Sequence, residues 1–504
     1  MTDRKLKRVL IVGGGTAGWM AASVLLRTGA QRFEIELVES DDIGTVGVGE
    51  ATIPSIVEFN QLLGIDEDEF VRQTQATFKL GIQFRNWGAL GDEYIHGFGQ
   101  LGRDTSLVEF YQYWLKMHQA GLAGRMDDYS INLAACAHNK FERASDADPG
   151  SPRADIRHAF HFDAGLFAQF LRRNCERHGV KRTEGKIASV QTHPETGFVS
   201  SVTLDNGQAH TADLFIDCSG FRGLLIEQTL HTGYDDWSHW LPCDSAWAVP
   251  CASVAPLTPY TRSTAHAAGW QWRIPLQHRT GNGHVYCSHF ISHDEAAAVL
   301  LKNLDGKALA DPRPVRFVTG RRKKFWNKNV VAIGLASGFI EPLESTSIHL
   351  IQKGIARLVN LFPDLDFDPA DVDEYNRQTT LEFEQVRDFI VLHYHATQRD
   401  DSAFWRHCRT MEIPEGLRLR IELFRSRGRV FRTSDELFGE TAWMQVMFGQ
   451  GLHPRAYHPM VDSTPQPAVA AMLDNVKAVV RQVVQAMPTH EAFIAAHCKA
   501  PPRA

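Results

Sequence analysis

Gly13, Gly15 and Gly18 form a G-x-G-x-x-G run that directly follows the apolar stretch Val9-Leu10-Ile11-Val12 and precedes an alanine-rich helical segment. The spacing suits a dinucleotide: the first glycine makes the turn, the second lets backbone approach a pyrophosphate, and the third lets helix pack on strand. The helix that opens at Thr16 and Ala17 would point unpaired N–H groups at the phosphates. A second strand over residues 34–39 ends in Glu39, about 20 residues past the glycines, where a ribose hydroxyl needs an acceptor. A ligand-free glycine turn is the plain alternative; strand, helix and acid together favour a bound adenine dinucleotide. A second candidate is Glu341-Pro342-Leu343-Glu344-Ser345-Thr346-Ser347-Ile348, an acid- and hydroxyl-rich loop opening a helix. Its helix N-terminus suits a small anion, unless Ser345 and Thr346 merely cap the helix. Lys79, at a helix-to-strand junction, would by itself read as a solvated surface residue. Trp270 and Trp272 share one face of an extended segment that Ile274 and Pro275 end; alone this is a buried aromatic strand.

The elements that must position these residues follow from periodicity. Residues 55–78 read as helical, and 80–87 alternate like a strand. Asp163 is placed to cap a helix with Phe167, Leu171 and Cys175 on one face. Alternating segments at 187–191 and 198–204 are followed by the turn residues Asp205-Asn206-Gly207. Strand-to-glycine junctions recur at 212–223 and at 330–338, the latter carrying Gly334. Three such junctions over more than 300 positions imply one α/β nucleotide module assembled from distant segments. The glycine-rich stretch Ile43–Pro54, with Gly49 and Ala51, reads as a loop exposing backbone to a ligand, and Ala144–Ala154 as a surface loop. The last third is helical, with Val469 to Met487 at three- and four-residue steps. The expected domains are 1–360, the nucleotide module with inserted substrate elements, and 361–504, a mainly helical module.

A net charge of −6 with 22% charged and 43% apolar residues excludes a nucleic-acid partner, because no basic patch dominates. No apolar run has the length of a membrane span. The basic start runs into a short apolar stretch that is the first strand, which argues against a secretory signal. Eight cysteines without a C-x-x-C pair fit free thiols in a reducing, cytoplasmic setting. The pairs His158/His161 and His393/His395 lack further ligands at metal spacing, so no metal is expected.

Taken together these residues resemble the flavin-dependent tryptophan halogenase family. The resemblance is carried by Gly13–Gly18, Val48-Gly49-Glu50-Ala51-Thr52-Ile53-Pro54, Lys79, W-x-W-x-I-P at Trp270–Pro275 and Glu341–Thr346, and runs from about residue 6 to the 460s. It implies a Rossmann-like FAD module of the flavin monooxygenase type with an associated helical substrate module. It also implies FAD delivered reduced by a separate NADH-dependent reductase, with chloride or bromide oxidised to hypohalous acid near the flavin. The oxidant would pass through a tunnel, marked by Trp270–Pro275, to Lys79, with Glu344 beside it as electrostatic partner and proton acceptor. Thr346 and Ser347 would hold the halide, Ser345 would link the two sites, and Ile348 and Gly334 would contact the cofactor. The Gly44–Thr52 loop resembles the family's strap over the flavin.

His96-Gly97-Phe98 resembles the segment that sets His96 and Phe98 against the substrate ring, yet Gly97 stands where tryptophan-specific members carry proline. Trp443 and Phe448 are the candidate stacking groups. No Tyr- and Glu-bearing segment for gripping an amino acid's ammonium and carboxylate is found, so indole or another electron-rich arene is expected as readily as free tryptophan. The alternatives are an aromatic monooxygenase, which typically carries Gly-Asp where Gly334-Leu335 stands, and a non-enzymatic flavin-binding redox protein. A homodimer stays open.

Overall fold

The computed structural model describes residues 4–29, 32–44, 49–104, 108–144 and 150–502. Residues 45–48 of the glycine-rich loop and 145–149 of the Ala144–Ala154 loop lie outside the described residues. The chain divides into two units: 1–75, 162–244 and 315–384 in the first, and 76–161, 245–314 and 385–504 in the second. This division differs from the boundary expected at 360. The cut falls within the helix Pro369–His395, and segments 76–161 and 245–314 join the C-terminal helices because they share a sheet of their own.

The first unit is built on a sheet ordered Trp326–Asn327, Val330–Ala332, Leu214–Asp217, Arg8–Val12, Glu34–Glu39, Lys181–Glu184. All neighbours run parallel except the Trp326–Asn327 edge. The apolar Arg8–Val12 strand, covered on both faces, buries Val9 to Val12, as central parallel strands do. Val12 pairs with Asp217, and Asp217 with Ala332, so the three strand-to-glycine junctions stand side by side. The expected hairpin forms between Ile187–Thr192 and Val199–Leu204 and returns through Gly207, at φ +84°, to Ala209–Thr211. Asp163 caps Ala164–Arg177 by accepting from the Leu166 N–H.

In the second unit, six successive strands of a sheet run in the order Ser245–Cys251, Thr280–Tyr286, Gly269–Pro275, Tyr260–His266, Gly81–Arg85, Glu93–Gly97. Only the Tyr260–His266 and Gly81–Arg85 pair is parallel. The helices of the last third include Glu415–Arg427, Glu440–Gly449, Gln466–Ala486 and His490–His497.

The expected helix over 55–78 is two helices, Ser55–Leu62 and Glu67–Gln73, followed by the strand Thr77–Lys79. Gly64 ends the first in the left-handed region (φ +69°) and Gln75 breaks the chain again at φ +56°, so Lys79 ends a strand. That strand pairs antiparallel with the Ala159–Phe162 strand, Thr77 opposite His161 and Lys79 opposite Ala159.

Candidate active site

In the first unit the glycine turn has the shape of a phosphate cradle. Gly13, at φ +108°, lies so close to the Cys218 carbonyl that a Cβ would collide with it, and a Cβ at Gly18 would strike the Gly13 carbonyl. A Cβ on Gly15, by contrast, would meet nothing within 4 Å. The turn is therefore packed tightly on its protein side and open at the second glycine, where a pyrophosphate approaches backbone. Thr16 and Ala17 open the helix Thr16–Gly29, and Gly334 (φ +71°) approaches Ala17 so closely that a Cβ would sit 2.8 Å from that methyl. Glu39 ends its strand with Oε1 accepting from Arg182 Nε at 2.6 Å, while its other oxygen abuts Gly14. These residues fit a flavin dinucleotide. Gly49, at φ +129°, and Ala51, in the short strand Glu50–Ala51, are both buried.

Asp217 went unread in the sequence, though it is buried. One oxygen accepts from the Ser219 N–H and the other from the N–H groups of Leu225 and Ile226, at 2.8–3.0 Å. It thereby shapes the second junction. An acid closing an otherwise apolar run, Leu214-Phe215-Ile216-Asp217, was the available signal.

The Glu341–Ser347 loop buries both carboxylates, Glu344 at 1% exposure and Glu341 at 0%. Pro342–Glu344 is a single 3₁₀ turn; Ser345 follows in the left-handed region at φ +61°, which costs a non-glycine residue about 1–3 kcal/mol. Thr346 occupies the N-cap position of the helix Ser347–Asn360, but its side chain makes no capping bond. Its hydroxyl oxygen is buried without a hydrogen-bond partner. The capping alternative for Thr346 therefore fails, and the first turn, with Ser347 and Ile348, fits a small anion. Two residues on, His349 bonds Ser55 Oγ at 3.0 Å and Glu382 at 3.1 Å, anchoring this helix within its unit.

In the second unit Lys79 is fully buried, and its ammonium stands 5.3 Å from the centre of the Phe98 ring. A cation over an aromatic face gains about 1–2 kcal/mol when desolvated. His96, two residues before Phe98, packs edge-on against Phe389 at 5.7 Å and tilted against Phe438 at 6.3 Å. Phe389 in turn stacks on Phe438 at 3.8 Å and meets Trp443 at 4.8 Å. Phe389, on the helix Pro369–His395, and Phe438, in the loop before Glu440–Gly449, were not singled out by sequence, since an apolar residue by itself carries no mark that separates it from ordinary core. Trp443 is buried, with the Arg420 guanidinium 4.2 Å above its ring. Arg420 forms a forked pair with Glu436, at 2.7 and 2.9 Å. Burial alone would raise the Glu436 carboxyl, but Arg420 and Thr433 outweigh it and hold its pKa below the usual range.

Phe448 joins a different cluster, with Trp114 at 5.2 Å and Phe424 at 5.0 Å. Five residues along a helix turn a side chain by more than a third of a circle, so Trp443 and Phe448 cannot face one ring. Trp270 and Trp272 do lie on one face, centroids 6.1 Å apart; Trp272 covers Gly283, where any Cβ would collide with the indole. Ile274 and Pro275 close that strand, both buried.

The chain matches the tryptophan halogenase family over residues 8–466. It is 34% identical to the tryptophan 7-halogenase RebH of Lentzea aerocolonigenes, with 97% of this chain and 98% of that protein covered. Among solved structures, the flavin-dependent halogenase Xcc4156 of Xanthomonas campestris superposes with a TM-score of 0.96 at 50% identity, covering 99% of this chain and 100% of its own. BrvH, a flavin-dependent halogenase from Brevundimonas sp. BAL3, gives 0.94 at 45% identity, covering 98% and 100%. With a glycine cradle open at Gly15, a buried lysine against an aromatic ring and this likeness along nearly its whole length, the chain belongs to the tryptophan halogenase family and is a flavin-dependent halogenase, an enzyme of reduced FAD, oxygen and halide.

Proposed function

We propose that the protein halogenates an electron-rich arene of the indole type, with Lys79 receiving the oxidant. Reduced FAD held at Gly13–Gly18, Glu39, Gly49, Ala51 and Gly334 supplies the two electrons with which oxygen and halide become hypohalous acid. Thr346 and Ser347 hold the halide, and Ser345 and Ile348 border the cofactor. Lys79 then presents the oxidant through an N–H, in a pocket from which water is excluded. Glu344 stabilises the positive charge that develops on the ring and accepts the ring proton. His96 and Phe98 line the arene, with Trp443 behind them, while Phe448 packs in the separate cluster with Trp114 and Phe424. The observation that carries the reading is the fully buried Lys79 ammonium against Phe98.

A neutral arene is favoured over free tryptophan because the two glutamates that precede Trp443 in sequence are both committed, Glu436 to Arg420 and Thr433 and Glu440 to Arg432. Neither offers a free anion to an ammonium group. The family implies a separate flavin reductase; we assign it NADH as reductant. The test is incubation with an NADH-driven flavin reductase, FAD, oxygen, bromide and either indole or tryptophan, read by product mass. A brominated indole whose formation requires bromide is expected. A halide-independent product heavier by one oxygen would overturn halogenation of the arene, and preferential bromination of tryptophan would overturn the substrate assignment.

A further inference from the structure

Thr77, Lys79, Ala159 and His161 lie on one face of the antiparallel pair that ends at Lys79. Residues directly opposite share a face, as do residues two apart on one strand. His161 is fully buried among hydrogen-bonding partners. Its Nδ1 is 2.9 Å from Thr77 Oγ1 and its Nε2 is 2.9 Å from Thr261 Oγ1, while Thr77 Oγ1 is 2.7 Å from the carbonyl oxygen of Pro275. The direction of each bond follows from proton count. Pro275 can only accept, so the single Thr77 hydroxyl proton goes to it. Thr77 Oγ1 must then accept from His161, which places the ring proton on Nδ1. Nε2 of the neutral ring is left as the acceptor for the Thr261 hydroxyl. The chain thus runs one way, from Thr261 through His161 and Thr77 to the last residue of the W-x-W-x-I-P strand.

The surroundings keep that ring neutral. Burial, then the neighbouring Lys79 ammonium, then His490 and Arg273, push its pKa well below the ordinary histidine value. An imidazolium here would set a second buried cation beside Lys79. From the other side of the strand, His490 receives the Phe78 N–H on Nε2 at 3.1 Å and gives its Nδ1 proton to the Leu257 carbonyl at 3.0 Å. The lysine strand is therefore held by two neutral histidines of defined tautomer, His161 on the face that carries Lys79 and His490 at the strand's outer edge.

We propose that His161 is a positioning residue for Lys79: locked between Thr77 and Thr261 as the neutral Nδ1–H tautomer, it ties the lysine strand to Pro275 and adds no further positive charge beside the Lys79 ammonium. This rests on Lys79 being the group that receives the oxidant. A lysine displaced by about an ångström would still be charged and buried but would intercept less oxidant, and misplacement of that size can cost about a hundredfold.

The readout is the amount of halogenated arene formed per reduced flavin consumed, in the full-length enzyme with FAD and a reductase system, with released hypohalous acid trapped by a scavenger. His161→Phe keeps the ring volume and removes both bonds; His161→Asn restores a donor toward Thr77. The expected result is a fall of about ten- to hundredfold in coupling for His161→Phe, with flavin consumption within twofold of the parent. His161→Asn should recover most of the loss. Coupling within twofold of the parent in a folded His161→Phe protein overturns the proposal, as does equal loss in the two variants. Should His161→Phe not fold, Thr261→Val, which removes only the proton given to Nε2, is read in the same way: reduced coupling supports the proposal and unchanged coupling overturns it. Lys79→Ala run alongside separates the two readings. Retained specific product in that variant refutes capture at Lys79, whereas its loss together with full coupling in His161→Phe refutes only the role of His161.

Discussion

Lys79 keeps none of its surface in water, and the Phe98 ring face 5.3 Å away is one of the groups that replace it. Burying an ammonium is costly, so a chain that does so at the end of a three-residue strand has put the charge to use. Lys79→Ala is expected to consume reduced flavin and release hypohalous acid while losing regioselective product; mass analysis of arene products beside a scavenger assay checks this. Retained selectivity would refute the assignment. Glu344, at 1% exposure, carries the second residue-scale prediction. Glu344→Gln is expected to lower turnover by about two to four orders of magnitude, measured as steady-state product formation. A drop smaller than tenfold would leave it a structural residue of the loop.

At the scale of elements, the strand Glu93–Gly97 and the helix Glu440–Gly449 are joined through a glycine that the family resemblance marks as a departure. Gly97 donates its N–H to Gln445 Oε1 at 2.8 Å, and a Cβ there would sit 2.6 Å from the Leu133 side chain. Proline at this position would remove the donor and press on Leu133, so glycine is what lets this strand hold the helix Glu440–Gly449 through Gln445. Gly97→Pro is expected to destabilise the protein by about 2–4 kcal/mol, the sum of a lost buried hydrogen bond and overpacking. Urea unfolding followed by fluorescence would measure it, and unchanged stability would show that helix and strand are held by other contacts. Trp443 and Phe448 show the same lesson from the other side. Both stood out as aromatic residues on one segment, yet helical geometry sends them to separate clusters.

Across the whole molecule, several histidines are buried in the neutral form. Burial lowers His490 and His284 to about 4, and His266 and His395 shift the same way. A histidine whose folded pKa lies below its unfolded value of about 6.5 contributes stability that is complete above that value. The contribution is lost as pH falls from about 6.5 toward 4. His490 and His284 contribute about 3 kcal/mol each by this linkage. Glu50, whose carboxyl burial pushes up to about 7, titrates with the opposite sign and offsets part of the loss. The expected outcome is a urea midpoint that is flat above about pH 7 and declines between pH 6.5 and 4; a midpoint constant to pH 4.5 would contradict it.

Local sequence determined the glycine cradle, the parallel strand that feeds it, the acid at Glu39, the capped helix after Asp163 and the hairpin through Gly207. In each, the governing interactions lie within a few residues and leave a mark in spacing or residue type. The family motifs drew attention to Lys79, Glu344, Thr346 and the paired tryptophans, of which Lys79, Glu344, Thr346 and Trp270 are buried. Tertiary structure alone decided that three glycine junctions stand side by side, that segments 76–161 and 245–314 join the C-terminal helices, and that Phe389 and Phe438 back His96. It alone supplied partners for Asp217 and His161, the latter visible in sequence only as a polar residue in the apolar run Ala159-Phe160-His161-Phe162. The reason is physical: a turn or cap is closed by neighbours along the chain, whereas a buried charge or imidazole is satisfied by groups a hundred positions away, whose arrival no local pattern records.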